Sequence, residues 1–193
     1  MRYSLVVAAL VAAVLGSRPE ATMRLFYKPE YAVGAPALSA LLLGYVCFSL
    51  FIIAGTIING SGRTLPTTVV GFGTLAATVA AQWIGIRMAL ETGADPLRVA
   101  AIATAATMGL GLLLSGIYLW RTFGAFLPAR TVLRVALAYA AAGVVGWAWT
   151  RVGLAPGKLG TLASCAAGGI TYLVVCWATG ELNRSELNQL RRA

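Results

Sequence analysis

The sequence predicts an all-α, polytopic membrane protein with a bundle of about six transmembrane helices. Hydrophobic residues make up 59% of the 193 residues, and charged residues make up 11%, against about 25% in soluble domains. Between Glu30 and Arg63, 32 consecutive residues carry no formal charge, which exceeds the roughly 20 residues that a helix needs to cross the hydrocarbon core. This composition excludes an ordinary soluble domain.

The first apolar segment covers residues 3–17, between Arg2 and Arg18. Its 15 uncharged residues fit a signal-peptide core as well as a short transmembrane helix. We favour the transmembrane helix over a cleaved signal, because the next segment is itself a membrane helix and no convincing small-residue cleavage site precedes a soluble mature domain.

The next two predicted spans cover residues 33–59 and 66–90. Pro36 suits the first turn of a helix, where its missing N–H would have no partner, and the glycines and serine at 60–62 mark the helix end. Arg63 precedes the following span, which begins at Pro66.

Three further spans are predicted at 97–120, 132–150 and 159–180, separated by segments rich in Gly and Pro. Small residues within the fourth and sixth spans predict close contact between helices. The tail, residues 181–193, predicts a short amphipathic helix on the cytoplasmic membrane surface, capped by Asn183 with Glu186 three residues later.

Four segments carry a family resemblance. They are LFYKPEY at 25–31, NGSGRT at 59–64, ETGADPLRVAAIATAATMGLG at 91–111 and ELNRSELNQL at 181–190. Together they resemble the C-terminal part of the polysaccharide and oligosaccharide lipid flippases, within the multidrug/oligosaccharidyl-lipid/polysaccharide flippase superfamily.

The resemblance implies the last six helices of a two-bundle flippase that moves a polyprenyl-linked oligosaccharide or cell-wall precursor by alternating access. It implies that residues 3–17 are the second half of a longer helix. It also implies a missing N-terminal bundle or a partner chain, because the family's cavity lies between two bundles. One alternative is a non-catalytic structural subunit of a transporter or glycan-assembly complex. Another is a small self-contained homo-oligomeric transporter with its cavity at a symmetry axis.

Six spans place both termini on one side of the plasma membrane, which we expect to be the cytoplasm. Basic residues barely decide this orientation, with eight on the proposed cytoplasmic side and seven outside. The resemblance favours it, because it implies that the LFYKPEY loop faces outward.

The candidate substrate-binding residues are polar side chains in or beside the second and third spans: Asn59, Arg63, Gln82 and Arg87. Asn59 and Arg63 belong either to an anion-binding backbone nest or to a plain helix end. Gln82 contacts either a sugar or a neighbouring helix. Arg87, interpreted as the most deeply buried ionisable group, either binds a lipid-linked phosphate or anchors the helix at the interface.

Other arginines are expected at lipid head groups: Arg121, Arg130, Arg134, Arg191 and Arg192. The first three also suit a substrate's phosphates. With no His and six scattered Asp and Glu residues, we expect neither an enzyme, a metal site nor a cofactor. The basic residues are dispersed, so the net charge of +9 predicts anionic lipid and not nucleic acid as the partner.

Overall fold

The computed structural model describes residues 1–124, 126–152 and 157–181, and every regular element within these ranges is helical. The seven α-helices are α1 (Arg2–Gly16), α2 (Pro19–Phe26), α3 (Ala35–Gly60), α4 (Thr64–Thr92), α5 (Pro96–Phe123), α6 (Ala129–Val152) and α7 (Lys158–Ala178). A 3-10 helix, Pro29–Gly34, leads into α3.

Five helical segments in the described ranges are long and apolar enough to cross a membrane: Pro29–Gly60, α4, α5, α6 and α7. Helices α1 and α2 make a sixth candidate when they are taken together, although they are bent by 81°. The all-α, multi-pass membrane architecture is therefore confirmed.

Each predicted span begins and ends within three residues of one observed helix. Residues 19–26 form α2, a helix that the sequence does not predict. The predicted tail helix after Glu181 lies outside the described residues.

The corner between α1 and α2 is set by Pro19, which lacks the N–H that would bond to the carbonyl of Leu15. The hydroxyl of Thr22 donates to that carbonyl at 3.0 Å instead. In the same way, the hydroxyl of Ser17 donates to the carbonyl of Val14 at 3.0 Å. The bend therefore leaves both carbonyls with hydrogen-bond partners.

Local chemistry also ends α3 and α4. After α3, the N–H groups of Ser61 and Gly62 donate to carbonyls of the last turn, and Gly62 adopts a φ of 81°. Helix α4 ends at Gly93, which has a φ of 71°, and Asp95 then caps α5 by accepting from the N–H of Leu97 at 3.0 Å. The helix end at residues 60–62 was predicted from the sequence, whereas the cap that Asp95 forms on α5 was not.

The helices form two groups. Helices α3, α4 and α5 pack together, with α5 between its two neighbours, whereas α6 and α7 pack against each other and against α1. Helix α1 joins the groups because its other side packs against α3. We call end A the end where α1, α4 and α6 begin, and end B the opposite end, which holds the α1–α2 corner.

Small residues permit the closest approaches between helices. Gly44 of α3 lies against Ala105 of α5, so a Cβ at Gly44 would be 2.8 Å from the Cα of Ala105. A larger cluster of buried side chains, including Leu50, Ala138 and Tyr172, lies where α1 contacts α3, α6 and α7. Helix α4 exposes most of its length, with Phe72 and Trp83 on its outer face.

Candidate functional site

Four residues from distant parts of the chain meet at end A. Arg2 begins α1, Thr131 and Arg134 lie in the first turns of α6, and Glu181 follows α7. The carboxylate of Glu181 accepts from Nε of Arg2 at 2.8 Å, from Nη1 of Arg134 at 3.1 Å and from the hydroxyl of Thr131 at 3.3 Å. We call these four residues the clasp.

Glu181 is held by its backbone as well as by its side chain. Its N–H donates to the carbonyl of Cys176 at 2.9 Å across Gly180, which has a φ of 77°. Its own carbonyl accepts from Nη2 of Arg2 at 2.8 Å. This helix-end motif, which needs a left-handed residue, fixes the carboxylate beside the two arginines.

The electrostatics of the clasp favour an ionised Glu181. The residue is 2% exposed, and burial by itself would raise the pKa of the carboxyl. The hydrogen bonds from Arg2, Arg134 and Thr131, together with the charge of Arg2, outweigh that effect and hold the pKa below its ordinary value. The clasp is therefore an ion-pair network with an ionised carboxylate at neutral pH.

The second feature is a cavity of about 630 Å³ at end B, between the α1–α2 corner, the last turns of α6 and the start of α7. We call it the basic cavity because Arg18, Arg24 and Lys158 line it, against the single carboxylate of Glu20. None of the three cations forms an ion pair with a described residue. Their charge is therefore open to an anion from outside the chain.

Neutral groups complete the lining of the basic cavity. Trp147 contributes an indole ring, over which the guanidinium of Arg151 lies at 5.2 Å from the ring centroid. Thr150 and Thr161 contribute hydroxyls. Cations, hydroxyls and an aromatic ring are groups that bind phosphates and sugars without forming or breaking covalent bonds.

The structure separates the four predicted substrate-binding residues. Asn59 and Arg63 are exposed at end A, whereas Gln82 and Arg87 lie toward end B on α4. At a rise of 1.5 Å per residue, Arg63 and Arg87 are about 36 Å apart along the axis of α4. The turn after Asn59 is a helix end, because the N–H groups of Ser61 and Gly62 donate to carbonyls of α3.

Gln82 and Arg87 have partners within the chain. The amide nitrogen of Gln82 donates to the hydroxyl of Thr104 on α5 at 2.8 Å, which is the helix contact considered from the sequence. Arg87 is exposed and lies 3.6 Å from Glu91 one turn later. The interpretation of Arg87 as the most buried ionisable group is wrong, because Glu181 is far more buried.

The predicted head-group arginines divide into three sets. Arg121 and Arg130 are exposed at end A, as contact with lipid requires. Arg134 is half-buried, and its guanidinium is bound to Glu181. Arg191 and Arg192 lie outside the described residues.

Glu181 is the only acidic residue of the clasp, but its ion pairs with Arg2 and Arg134 were not predicted from the sequence. The signal for the clasp was present in the topology, because six antiparallel spans place Arg2, Arg134 and Glu181 at the same end. Hydropathy alone did not find it, since Glu181 reads as the first residue of a polar tail. The cations of the basic cavity give no local signal either, because Arg18, Arg24 and Lys158 lie in the segments between predicted spans.

Within the described ranges, no three His, Cys, Asp or Glu residues are grouped as a metal site requires. Comparisons with protein-family models, with curated proteins and with solved structures give no match to this chain.

Proposed function

We propose that this chain is one helical bundle of a flippase that moves a polyprenyl-linked oligosaccharide or cell-wall polysaccharide precursor across the plasma membrane. The family resemblance in the sequence and the multi-pass helical architecture both support this proposal. The observation that carries it is the basic cavity, where three cations that form no ion pair with a described residue face a space large enough for a polar head group.

The chemistry of a lipid-linked glycan matches the lining of this cavity. Its phosphate or pyrophosphate is an anion at the boundary between lipid and water, and Arg18, Arg24 and Lys158 supply the opposite charge. The sugar next to the phosphate meets Trp147 and the threonine hydroxyls. A volume of about 630 Å³ lies within the usual range for small-molecule sites.

Alternating access also needs helix faces that move past each other. The interface of α1 with α6 and α7 includes four small buried residues, Ala9, Ala13, Ala138 and Ala142. Small residues let the helix backbones approach closely at these positions. In the proposed orientation end A is cytoplasmic, so the basic cavity receives or releases the head group at the outer leaflet.

The test is binding of a polyprenyl pyrophosphate to the purified chain in lipid nanodiscs, with the uncharged polyprenol as the ligand control. We expect Arg18→Gln, Arg24→Gln and Lys158→Gln each to weaken binding of the pyrophosphate several-fold. Arg98→Gln is the matched control, because Arg98 is an exposed arginine at the same end of the bundle that does not line the cavity. Two results would contradict the proposal. One is binding of polyprenol as tight as that of the pyrophosphate, and the other is a loss of pyrophosphate binding in Arg98→Gln equal to the loss in the cavity variants.

Transport itself is tested by reconstitution of the chain with a candidate N-terminal bundle. The expected result is translocation of a fluorescent lipid-linked oligosaccharide that neither part supports alone, and that falls in the triple variant of Arg18, Arg24 and Lys158.

A second candidate function is a non-catalytic membrane subunit. The observation that favours it is the outer face of α4, where large apolar residues such as Phe72, Val79 and Trp83 are exposed. In that case the chain co-purifies with a transporter whose activity survives all three cavity substitutions. Loss of transport in those variants favours the flippase instead.

A further inference from the structure

The clasp and the basic cavity lie at opposite ends of the same three helices. Helices α1, α6 and α7 meet at end A through Arg2, Arg134 and Glu181, and they border the cavity at end B. We propose that the clasp is a pivot, about which the α6–α7 pair swings relative to α1 to widen or narrow the basic cavity.

Among the described residues, the strong polar contacts between these helices lie near the clasp. Besides the bonds to Glu181, the hydroxyl of Tyr172 donates to the carbonyl of Val6 at 2.9 Å, one turn of α1 beyond Arg2. Tyr172 and Glu181 are among the largest fully buried side chains of the described residues. End A is therefore fixed by directional bonds as well as by packing.

Contacts at end B are of another kind. Ser17 lies between Gly146 of α6 and Gly168 of α7, so close that a Cβ at Gly146 would collide with the carbonyl of Ser17. The hydroxyl of Ser17 bonds within its own helix. Where Thr22 faces Cys165 of α7, the distance from oxygen to sulfur is 3.9 Å. Glycine surfaces in contact separate without breaking strong hydrogen bonds.

The connections of α6 and α7 also permit a swing. These helices pack on each other and meet the rest of the described chain chiefly through α1. The segment before α6 contains Gly124, with a φ of 66°, and Pro128. Because α6 is about 36 Å long, a rotation of about 10° at the clasp moves its far end by about 6 Å.

The inference rests on the proposed function for the role of the motion in transport. The test of the motion itself does not, because it uses no ligand. Spin labels are placed on a cysteine-free background at two matched pairs, each joining α4 to the α6–α7 pair. Leu65 and Arg130 form the pair at end A, and Leu90 and Leu159 form the pair at end B. All four residues are exposed.

Gly146→Leu is the wedge, because its side chain must displace the backbone of Ser17. We expect the distance at end B to rise by about 3 to 6 Å, the displacement that a rotation of about 5 to 10° gives over α6, with the distance at end A unchanged. Gly143→Leu is the control, since its Cβ meets nothing within 4 Å, and it should move neither pair. Gly168→Ala, a smaller wedge against Ser17, serves if Gly146→Leu does not fold.

Glu181→Ala tests the pivot itself. We expect a narrow distance distribution at end A in the wild type and a broader one in Glu181→Ala. Equal displacement of both pairs in Gly146→Leu or Gly168→Ala, or an unchanged distribution at end A in Glu181→Ala, would overturn the inference. Either result leaves the pyrophosphate-binding experiment intact, so the two proposals fail separately.

Discussion

The guanidinium of Arg2 donates to the carboxylate of Glu181 at 2.8 Å, a contact between residues 179 positions apart. Arg134 binds the other oxygen of that carboxylate, so one acidic side chain joins the start of α1, the start of α6 and the end of α7. The clasp therefore closes the chain across almost its whole length.

Substitution of Glu181 by Gln should destabilise the protein by about 3 kcal/mol, at the low end of the cost of breaking a buried ion pair. The low end applies because the side chains of Arg2 and Arg134 are 32% and 39% exposed, so water partly solvates them. Steric trapping or SDS titration in bilayer mimetics measures the change.

Glu91→Gln is the matched control for this prediction. It breaks the exposed pair with Arg87, in which both side chains are mostly solvent-accessible, and exposed pairs spaced four residues apart contribute at most about 0.5 kcal/mol. Equal losses in the Glu91 and Glu181 variants would show that the clasp contributes no more than a surface pair.

The clasp should also make stability depend on pH in the acid range. The folded-state pKa of Glu181 is lower than its ordinary value of 4.5, so the unfolded chain takes up the proton first as pH falls. The contribution of Glu181 is thus complete above the ordinary pKa and is lost as pH falls through the folded-state pKa. A pH titration of unfolding should show a smaller acid loss in Glu181→Gln than in the wild type, and parallel curves would exclude this role.

The helices were predictable because each is a long apolar run bounded by Arg, Gly or Pro, signals that act within a few residues. Helix α2 was not predicted, since eight residues of mixed polarity give too little periodicity and its position depends on the break at Pro19. The clasp and the basic cavity depend on tertiary contact between α1, α6 and α7. No local pattern specifies such contacts. The even number of spans does place Arg2 and Glu181 at the same end of the bundle.

The seam between α4 and α5 should be stabilised by two separate hydrogen bonds. Gln82 bonds to Thr104 at 2.8 Å, and Thr78 bonds to Thr107 at 2.9 Å. Interhelical bonds of this kind contribute about 0.6 kcal/mol on average and at most about 1.7 kcal/mol. A double-mutant cycle of Gln82→Leu with Thr104→Val should therefore show coupling in that range.

The control cycle pairs Gln82→Leu with Thr107→Val, for which we expect coupling near zero because the partner of Thr107 on α4 is Thr78 and not Gln82. If the two cycles give the same coupling energy, the bond from Gln82 to Thr104 contributes nothing specific. Loss of pyrophosphate binding in Gln82→Leu, with stability unchanged, would revive its interpretation as a substrate contact.

Gly44→Ala should destabilise the bundle where α3 and α5 run side by side. The added Cβ would lie 2.8 Å from the Cα of Ala105, and backbone cannot move aside as the tip of a side chain can. Overpacking of this kind costs about 1 to 3 kcal/mol. Gly109→Ala on α5 adds the same methyl group where nothing lies within 4 Å, and alanine's higher helix propensity favours it by up to about 1 kcal/mol. Thermal unfolding of the two variants should therefore differ in sign, and a loss in both would mean that α5 is packed against something on the Gly109 face as well.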